Sequence, residues 1–535
     1  MGRCSGVAIP EKRIGRPFYS IDAFPSFGYH TNLMIPFFKN LSYSNQLLGF
    51  LLGLFCFRLI YALFLPLSPQ EAYYWVYSLH PALSYFDHPP LVAYTIFLFS
   101  KLFGPTVLAI RLGPLLYSFG FSWLLFLIGK KIFDEQTGFR AALLMNLLPT
   151  FAITSLIMTP DCSLVFFWCL CWFCVFKAVQ ETRYSFYLWA GISLGLAFMS
   201  KYTAVFLIVS ILLFLAVSSE HRHHLKRMEP YGGLILALLV FSPVLIWNFQ
   251  HQWASFAFQS TQRAGEMSAF EWEELGKFLA SQAGIISPLV FAGFCWTIGL
   301  GVKRIWKVRS WKETFLLSLA LPMVGLFTLV ATREWVKMNW LIPAYPSLLL
   351  LMVAYYQKRA FSWKWIYAGY VKWTWVSAVL FFILFHIWPL IPQIPVSGSA
   401  DTMTGWQELA AHLEKVRSTK DHKAPPFIFA WGHKTASELQ FYLKGQPVTF
   451  AQTVLGKKAL AYDYWFDPKP LQGKEALFIW SDFERFPDEK SGLLEKYFER
   501  IEALEPFTVF RGKRPLRTFR LYRCYGYKGL AFVQP

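Results

Sequence analysis

Eleven apolar runs recur between positions 45 and 391: 45–66, 107–128, 140–159, 162–179, 186–200, 202–218, 231–249, 283–302, 314–332, 339–356 and 366–391. Most approach the roughly 20 residues a helix needs to cross hydrocarbon. In lipid every backbone polar group must be satisfied internally, so only helices and closed barrels can span. The short alternating segments of a barrel do not dominate here. The runs predict a polytopic α-helical membrane protein of about 11 spans, with outer bounds of roughly 10–13. Composition agrees: 55% of residues are hydrophobic and 16% charged, against about 25% charged in soluble chains.

The connecting loops sort by charge. "GKKIFDEQTGFR", "SSEHRHHLKRMEP", "VKRIWKVRSWKE" and "QKRAFSWK" are rich in Lys and Arg, whereas 67–106, "TPD", 250–282 and "TREWVKMN" are poorer or mixed. Cytoplasmic loops carry the excess of positive charge, so Lys130, Arg222, Lys303 and Lys358 are expected inside. That assignment holds only if "PPLVAYTIFLFSKLFG" (89–104) lies along the outer surface instead of crossing. Residues 1–44 then form a cytoplasmic leader that lacks the pattern of a cleaved signal. The first span acts as its own uncleaved signal, and the C-terminus lies outside. The net charge of +19 follows from these loops, and no nucleic-acid-binding module accompanies it. The cysteines of "FFWCLCWFCVF" have no histidine or carboxylate beside them and read as buried apolar groups, with no disulfide framework.

Charged residues, Pro and Gly return from about residue 395. "GWQELAAHLEKV", "TASELQFYL" and "GLLEKYFERIEAL" read as helices, "PFIFAWG" and "EALFIWSD" as strands, and "RTFRLYRCYGY" as a strand closing the sheet. The expected organisation is a leader (1–44), a transmembrane core (45–394) with an outer loop at 67–106, and a small α/β domain (395–535) outside the membrane. Within that domain "AYDYWFDP" (461–468) suits contact with an acceptor better than it suits a packed strand.

The outer face gathers Glu71, Asp87 and His88 in its first loop. It also gathers Asp161, Lys201, His251 and Arg263, together with Arg333, Glu334, Lys337 and Asn339. Ionisable groups at membrane depth are costly and are candidates for function. Carboxylates among rings suit sugar chemistry: one can take the proton of an attacking hydroxyl, while Tyr73, Tyr74, Trp75 and Tyr85 can stack on a pyranose or line a lipid groove. Lys201, Arg333 and Lys337 can neutralise a phosphate leaving group.

The motifs "EAYYW", "YFDHPPL", "MTPD", "SKYTAV" and "VKMNWLIPAY", in this order, resemble bacterial relatives of the dolichyl-phosphate-mannose protein mannosyltransferases (family 39-like) and of the aminoarabinose transferases. The resemblance implies the GT-C fold and an enzyme of the bacterial inner (plasma) membrane. It would move a sugar from a polyprenyl-phosphate donor to an envelope glycolipid, glycan or protein acceptor outside, with inversion. It carries catalytic roles to Glu71, Asp87 and Asp161 and places His88 near the donor phosphate, where Lys201, Arg333 and Lys337 are the expected cationic contacts. Substrate contacts would fall to Tyr74, Trp75, Tyr85, His251 and Asn339. The family's first-loop acidic pair is often Asp-Glu, and here it is Gln70–Glu71, which leaves open which carboxylate is the base. A divalent cation is also left open, with Glu71, Asp87, Asp161 and His251 able to ligate one, and no tight structural metal is expected. A transporter or flippase of a lipid-linked saccharide is the competing reading.

Overall fold

The computed structural model describes residues 41–262, 270–357, 364–391, 401–417, 425–481, 484 and 492–530. The leader up to residue 40, the 394/395 boundary, Arg263 and Lys358 lie outside them.

The core is helical: α1 (Tyr43–Phe64), α2 (Pro69–Leu79), α3 (Leu91–Phe103), α4 (Val107–Ile132), α5 (Glu135–Leu147), α6 (Pro149–Leu156), α7 (Pro160–Gln180), α8 (Phe186–Ser200), α9 (Val205–Val217), α10 (Glu229–Gln250), the single turn α11 (Ala254–Ala257), α12 (Trp272–Ile286), α13 (Pro288–Val308), α14 (Trp311–Val330), α15 (Tyr345–Gln357) and α16 (Lys364–Ile387). Eight stretches of the described residues are long and apolar enough to cross a membrane. The run at 140–159 is a broken pair, α5 and α6, bent by 74°. Its cause is Pro149, which disfavours helical geometry at the preceding residue, and Leu148 is accordingly extended. The runs at 186–200 and 202–218 form shorter apolar helices, as does α3. The eleven runs thus become eight long stretches, one bent pair and two short helices. Alpha8 packs closely on α10 because glycines meet there: a Cβ on Gly191 would stand 2.1 Å from the Gly233 carbonyl oxygen, a use of small residues common between membrane helices.

The C-terminal unit carries α17 (Trp406–Arg417), α18 (His433–Tyr442) and the short α19 (Leu493–Tyr497), with β1 (Phe427–Ala430), β2 (Thr449–Phe450), β3 (Ala476–Ser481), β4 (Phe498–Ala503), β5 (Phe507–Arg511) and β6 (Arg514–Tyr527). The sheet order is β2-β1-β3-β6-β4, with β5 also on β6. Strands β1, β2 and β3 are parallel, and β6 runs antiparallel to β3, β4 and β5. The helix expected over "GLLEKYFERIEAL" stops at Tyr497, and Phe498–Ala503 forms a strand. The 14-residue β6 offers a long edge to pair with, and that pairing overrides a local helical pattern.

This unit sits directly on the first loop of the core. The Phe441 ring of α18 meets the Trp75 ring of α2 edge-on at 5.1 Å. The Leu67 N–H donates to the Tyr442 hydroxyl at 2.9 Å.

Candidate active site

Alpha2 starts on a capping box. The Ser68 hydroxyl accepts the Glu71 N–H, the Glu71 carboxylate accepts the Ser68 N–H, and Pro69 opens the helix, which pre-sets the first turn. Glu71 is 0% exposed. Arg111 of α4 grips it through two donors, Nε to Oε1 at 3.0 Å and Nη2 to Oε2 at 2.8 Å. The Met158 N–H adds a bond to Oε1 at 3.1 Å. The rest of the Arg111 guanidinium holds the carbonyls of Ala62, Leu65 and Pro66. Glu71 therefore ties the end of α1, the start of α2 and the loop before α7 into one block. Both Glu71 oxygens are thus engaged by a bidentate cation and backbone donors.

Asp87 is 4% exposed. The Tyr73 hydroxyl reaches its Oδ1 at 3.0 Å, and the Tyr77 hydroxyl makes a very short contact with the same oxygen. Burial first, and the Asp87 charge second, push both phenols well above their ordinary pKa, so both remain protonated donors. The Gln259 amide donates to the Asp87 carbonyl at 2.8 Å, which fastens the loop after α10 to this turn. Tyr202, next to Lys201, lies within electrostatic reach of Asp87 and shares a 2.7 Å hydrogen bond with Ser255.

Asp161 lies in the first turn of α7. Its Oδ1 accepts from Lys201 Nζ at 2.7 Å and its Oδ2 from the Asn339 amide at 2.7 Å. Three of the sequence motifs, "MTPD", "SKYTAV" and "VKMNW", therefore converge on one buried carboxylate. Arg333 and Lys337 precede Asn339 in the same loop and are exposed. His88 meets the Tyr74 ring edge-on at 5.7 Å.

Two expected ligand contacts are placed differently. Trp75 is 1% exposed under the C-terminal unit. Tyr85 is also buried, stacked on Tyr77 at 4.2 Å with its hydroxyl on the Tyr77 carbonyl. Both rings brace the loop and present no face for stacking. His251 stacks on Trp247 at 4.1 Å and donates from Nδ1 to that residue's carbonyl at 2.8 Å. Among the described residues no three His, Cys, Asp and Glu side chains form a metal-ligand cluster, and both Asp161 oxygens already meet nitrogen donors.

"AYDYWFDP" turns out to be the clasp of the C-terminal unit on the core. Tyr462 lies parallel to Tyr73 at 6.3 Å, Trp465 stacks on His80 at 4.5 Å, and Tyr464 stands 5.6 Å from both Trp247 and His251.

This architecture, a helical core with an extended first loop under a small α/β cap, aligns with ArnT from Cupriavidus metallidurans bound to undecaprenyl phosphate. The TM-score is 0.62 over 89% of this chain and 97% of that one, at 13% identity. The apo form of the same protein gives 0.61. The fold is the GT-C fold of ArnT. In sequence, residues 87–247 match the family described as dolichyl-phosphate-mannose-protein mannosyltransferase. The curated lipid A galacturonosyltransferase RgtD of Rhizobium johnstonii is 29% identical over 294 residues, which cover 53% of this chain and 59% of RgtD. A putative mannosyltransferase, YycA of Bacillus subtilis, is 30% identical over 169 residues, 31% of this chain and 23% of YycA. The chain thus spans less than two thirds of the length of either curated relative. With its apolar helices, it is a multi-pass membrane protein of GT-C fold.

Sequence reasoning overlooked Arg111. It lies near the start of an apolar helix, and a charge there demands a partner, so the signal was present. The Tyr77–Asp87 contact and the approach of His433 and Ala461 to Tyr73 from the distant cap had no local signal.

Proposed function

We propose that this chain is an integral-membrane glycosyltransferase. It takes a sugar from a polyprenyl-phosphate donor and passes it to a hydroxyl of an envelope glycolipid, with lipid A the favoured class, on the outer side of the inner membrane. The observation that carries this reading is the pairing of two carboxylates in distinct settings. Asp87 is met by neutral hydroxyls, and Asp161 orients a lysine and an amide. Undecaprenyl phosphate bound to ArnT supports the donor class, and RgtD supports the acceptor class.

In this mechanism Asp87 accepts the proton of the acceptor hydroxyl as its oxygen attacks the anomeric carbon. The bond from that carbon to the phosphate oxygen breaks on the opposite face. The electron pair leaves with the polyprenyl phosphate, and the anomeric centre inverts. Asp161 holds Lys201 and Asn339 toward the donor, and with His88, Arg333 and Lys337 they stabilise charge developing on the phosphate. Tyr74 and His251 flank the sugar. Glu71 positions the block and does not exchange protons. Lys130, Arg222 and Lys303 face the cytoplasm, while the first loop and the cap face outward.

The test is transfer from a synthetic polyprenyl-phosphate sugar to lipid A by purified protein, read by mass spectrometry. Release of polyprenyl phosphate with a glycosylated product in detergent is expected. Absence of any product, while a two-compartment vesicle assay shows movement of the intact donor, would make the chain a flippase.

A further inference from the structure

We propose that the C-terminal cap sets the hydrogen-bond state of Asp87 through one backbone group: the Ala461 N–H commits the Tyr73 hydroxyl proton to Asp87. The catalytic consequence rests on the reading of Asp87 as base. Tyr73 and Ala461 are then positioning residues, and the cap is part of the reaction centre as well as a cover over it.

Donor and acceptor valence governs this centre. Three oxygens meet at the base of the first loop: Tyr73 Oη lies 3.0 Å from Asp87 Oδ1, Tyr77 Oη lies closer still to Oδ1, and the two phenol oxygens are 3.2 Å apart. Each phenol has one proton. The carboxylate only accepts, so both protons can serve it, or Tyr77 can donate to Tyr73 and leave Asp87 with one. Ala461 decides between these. Its N–H lies 3.1 Å from Tyr73 Oη and can only donate. With one of its lone pairs taken by that amide, Tyr73 turns its own proton to Asp87, and donation from Tyr77 to Tyr73 gains less than donation to the carboxylate. The cap thus holds two hydroxyl donors on one carboxylate oxygen.

The cap is built to keep this amide in place. Leu460, just before Ala461, has a φ of +56°, a left-handed conformation uncommon for a side chain without a polar group. The Asp463 carboxylate accepts the Ala459 N–H at 2.8 Å and closes the turn. His433 covers the Tyr73 ring at 4.5 Å, and Tyr462 lies parallel beyond it. On the Tyr77 side stand Tyr85 and Trp465. The other titratable groups around the centre are Tyr202, within reach of Asp87, His88 beside it in the chain, and Lys434 behind His433. Burial, then the Lys434 charge, push His433 down to about 3, so its ring is neutral at working pH and places no competing cation on Tyr73.

Hydrogen bonds to a carboxylate favour its ionised form, so loss of either donor should raise the pH at which Asp87 takes up a proton. The decisive variant replaces Ala461 with lactic acid by nonsense suppression, an amide-to-ester change that deletes the N–H and leaves the side chain. It is compared with Tyr73→Phe, the combination of both, and the parent, all as full-length protein in detergent. Asp87 is followed by the infrared carboxyl band that disappears in Asp87→Asn, and catalysis by the acid limb of the pH–rate profile. Tyr73→Phe should move both upward by roughly one pH unit. The ester should move them in the same direction, and adding the ester to Tyr73→Phe should have no further effect. An unchanged carboxyl titration in the folded ester protein overturns the proposal, as does full additivity of the two changes. Parental turnover in Asp87→Asn would instead overturn the assignment of the base, while the infrared titration still decides whether the cap controls this carboxylate.

Discussion

Both oxygens of Glu71 are taken by Arg111 and by backbone donors, while the phenols of Tyr73 and Tyr77 meet Asp87. A carboxylate in a buried ion pair is an architectural group, because removing its charge strands the partner. Glu71→Gln should therefore lower the stability of the folded core by about 3–5 kcal/mol through the uncompensated Arg111, read as a fall in the thermal midpoint in detergent. Material that does fold should keep much of its turnover. Asp87→Asn should do the reverse: its midpoint should stay near the parent's and kcat should fall by about 10²–10⁴-fold. The opposite pattern would return the base to Glu71. The sequence marked both carboxylates, since each is charged beside an apolar span, but it did not rank them. The residue that ranks them is Arg111, which lies in a different helix, and only the packing of α4 beside the α1–α2 turn brings it to Glu71.

At the scale of the elements, most helices were legible because hydrophobic runs of this length have few alternatives in lipid. The break at Pro149 was a local rule that the run length obscured, and β4 was a pairing made by a partner strand that a local window does not contain. Side-chain links across helices were less visible. Arg58 of α1 is 2% exposed. It donates to the Asn146 side-chain oxygen at 3.0 Å and the Asn146 carbonyl at 3.3 Å, while the Asn146 amide donates to Ser122 at 2.9 Å. One asparagine thus joins α1, α4 and α5. Asn146→Leu should remove the side-chain acceptor of a buried charged donor and cost about 1–3 kcal/mol, measurable as a lower unfolding midpoint. An unchanged midpoint would show that the Arg58–Asn146 side-chain link does not stabilise the core. In the cap, burial pushes Glu484 up to about 7, against the opposing influence of Thr435, Arg517 and Lys434. Its folded pKa lies above the unfolded value, so the folded state binds more protons between these two values. The stability contributed by this neutral carboxyl is present near pH 4.5 and is lost as pH rises through about 7. Glu484→Gln should match the parent at the acid end and exceed it at pH 8, and parallel stability curves for the two proteins would remove Glu484 from the pH response.

For the whole molecule, the separation of core and cap is clear in composition, but their shared site is not. The motifs that carry the family resemblance all precede residue 395, so sequence favours a cap that selects the acceptor and takes no part in the chemistry. The contacts argue for closer dependence. Leu67 donates to Tyr442, Trp75 is covered by Phe441, and Ala461 donates to Tyr73, each on the loop that carries Glu71 and Asp87. A chain ending at residue 391 would expose Trp75 and Tyr73, both nearly fully buried in the intact protein, and would leave the Tyr73 hydroxyl without its amide donor. Such a chain should still insert and, through Lys201, Asn339 and Lys337, retain binding of a polyprenyl-phosphate donor. It should fail to transfer sugar even to a small soluble alcohol offered at high concentration, because the damage reaches the base as well as acceptor selection. A cap that only selected the acceptor would leave transfer to that simple alcohol intact. The measurement is donor binding by fluorescence quenching alongside product formation by mass spectrometry, and a truncated protein that binds donor and glycosylates the small alcohol at the parental rate would return the cap to acceptor selection alone.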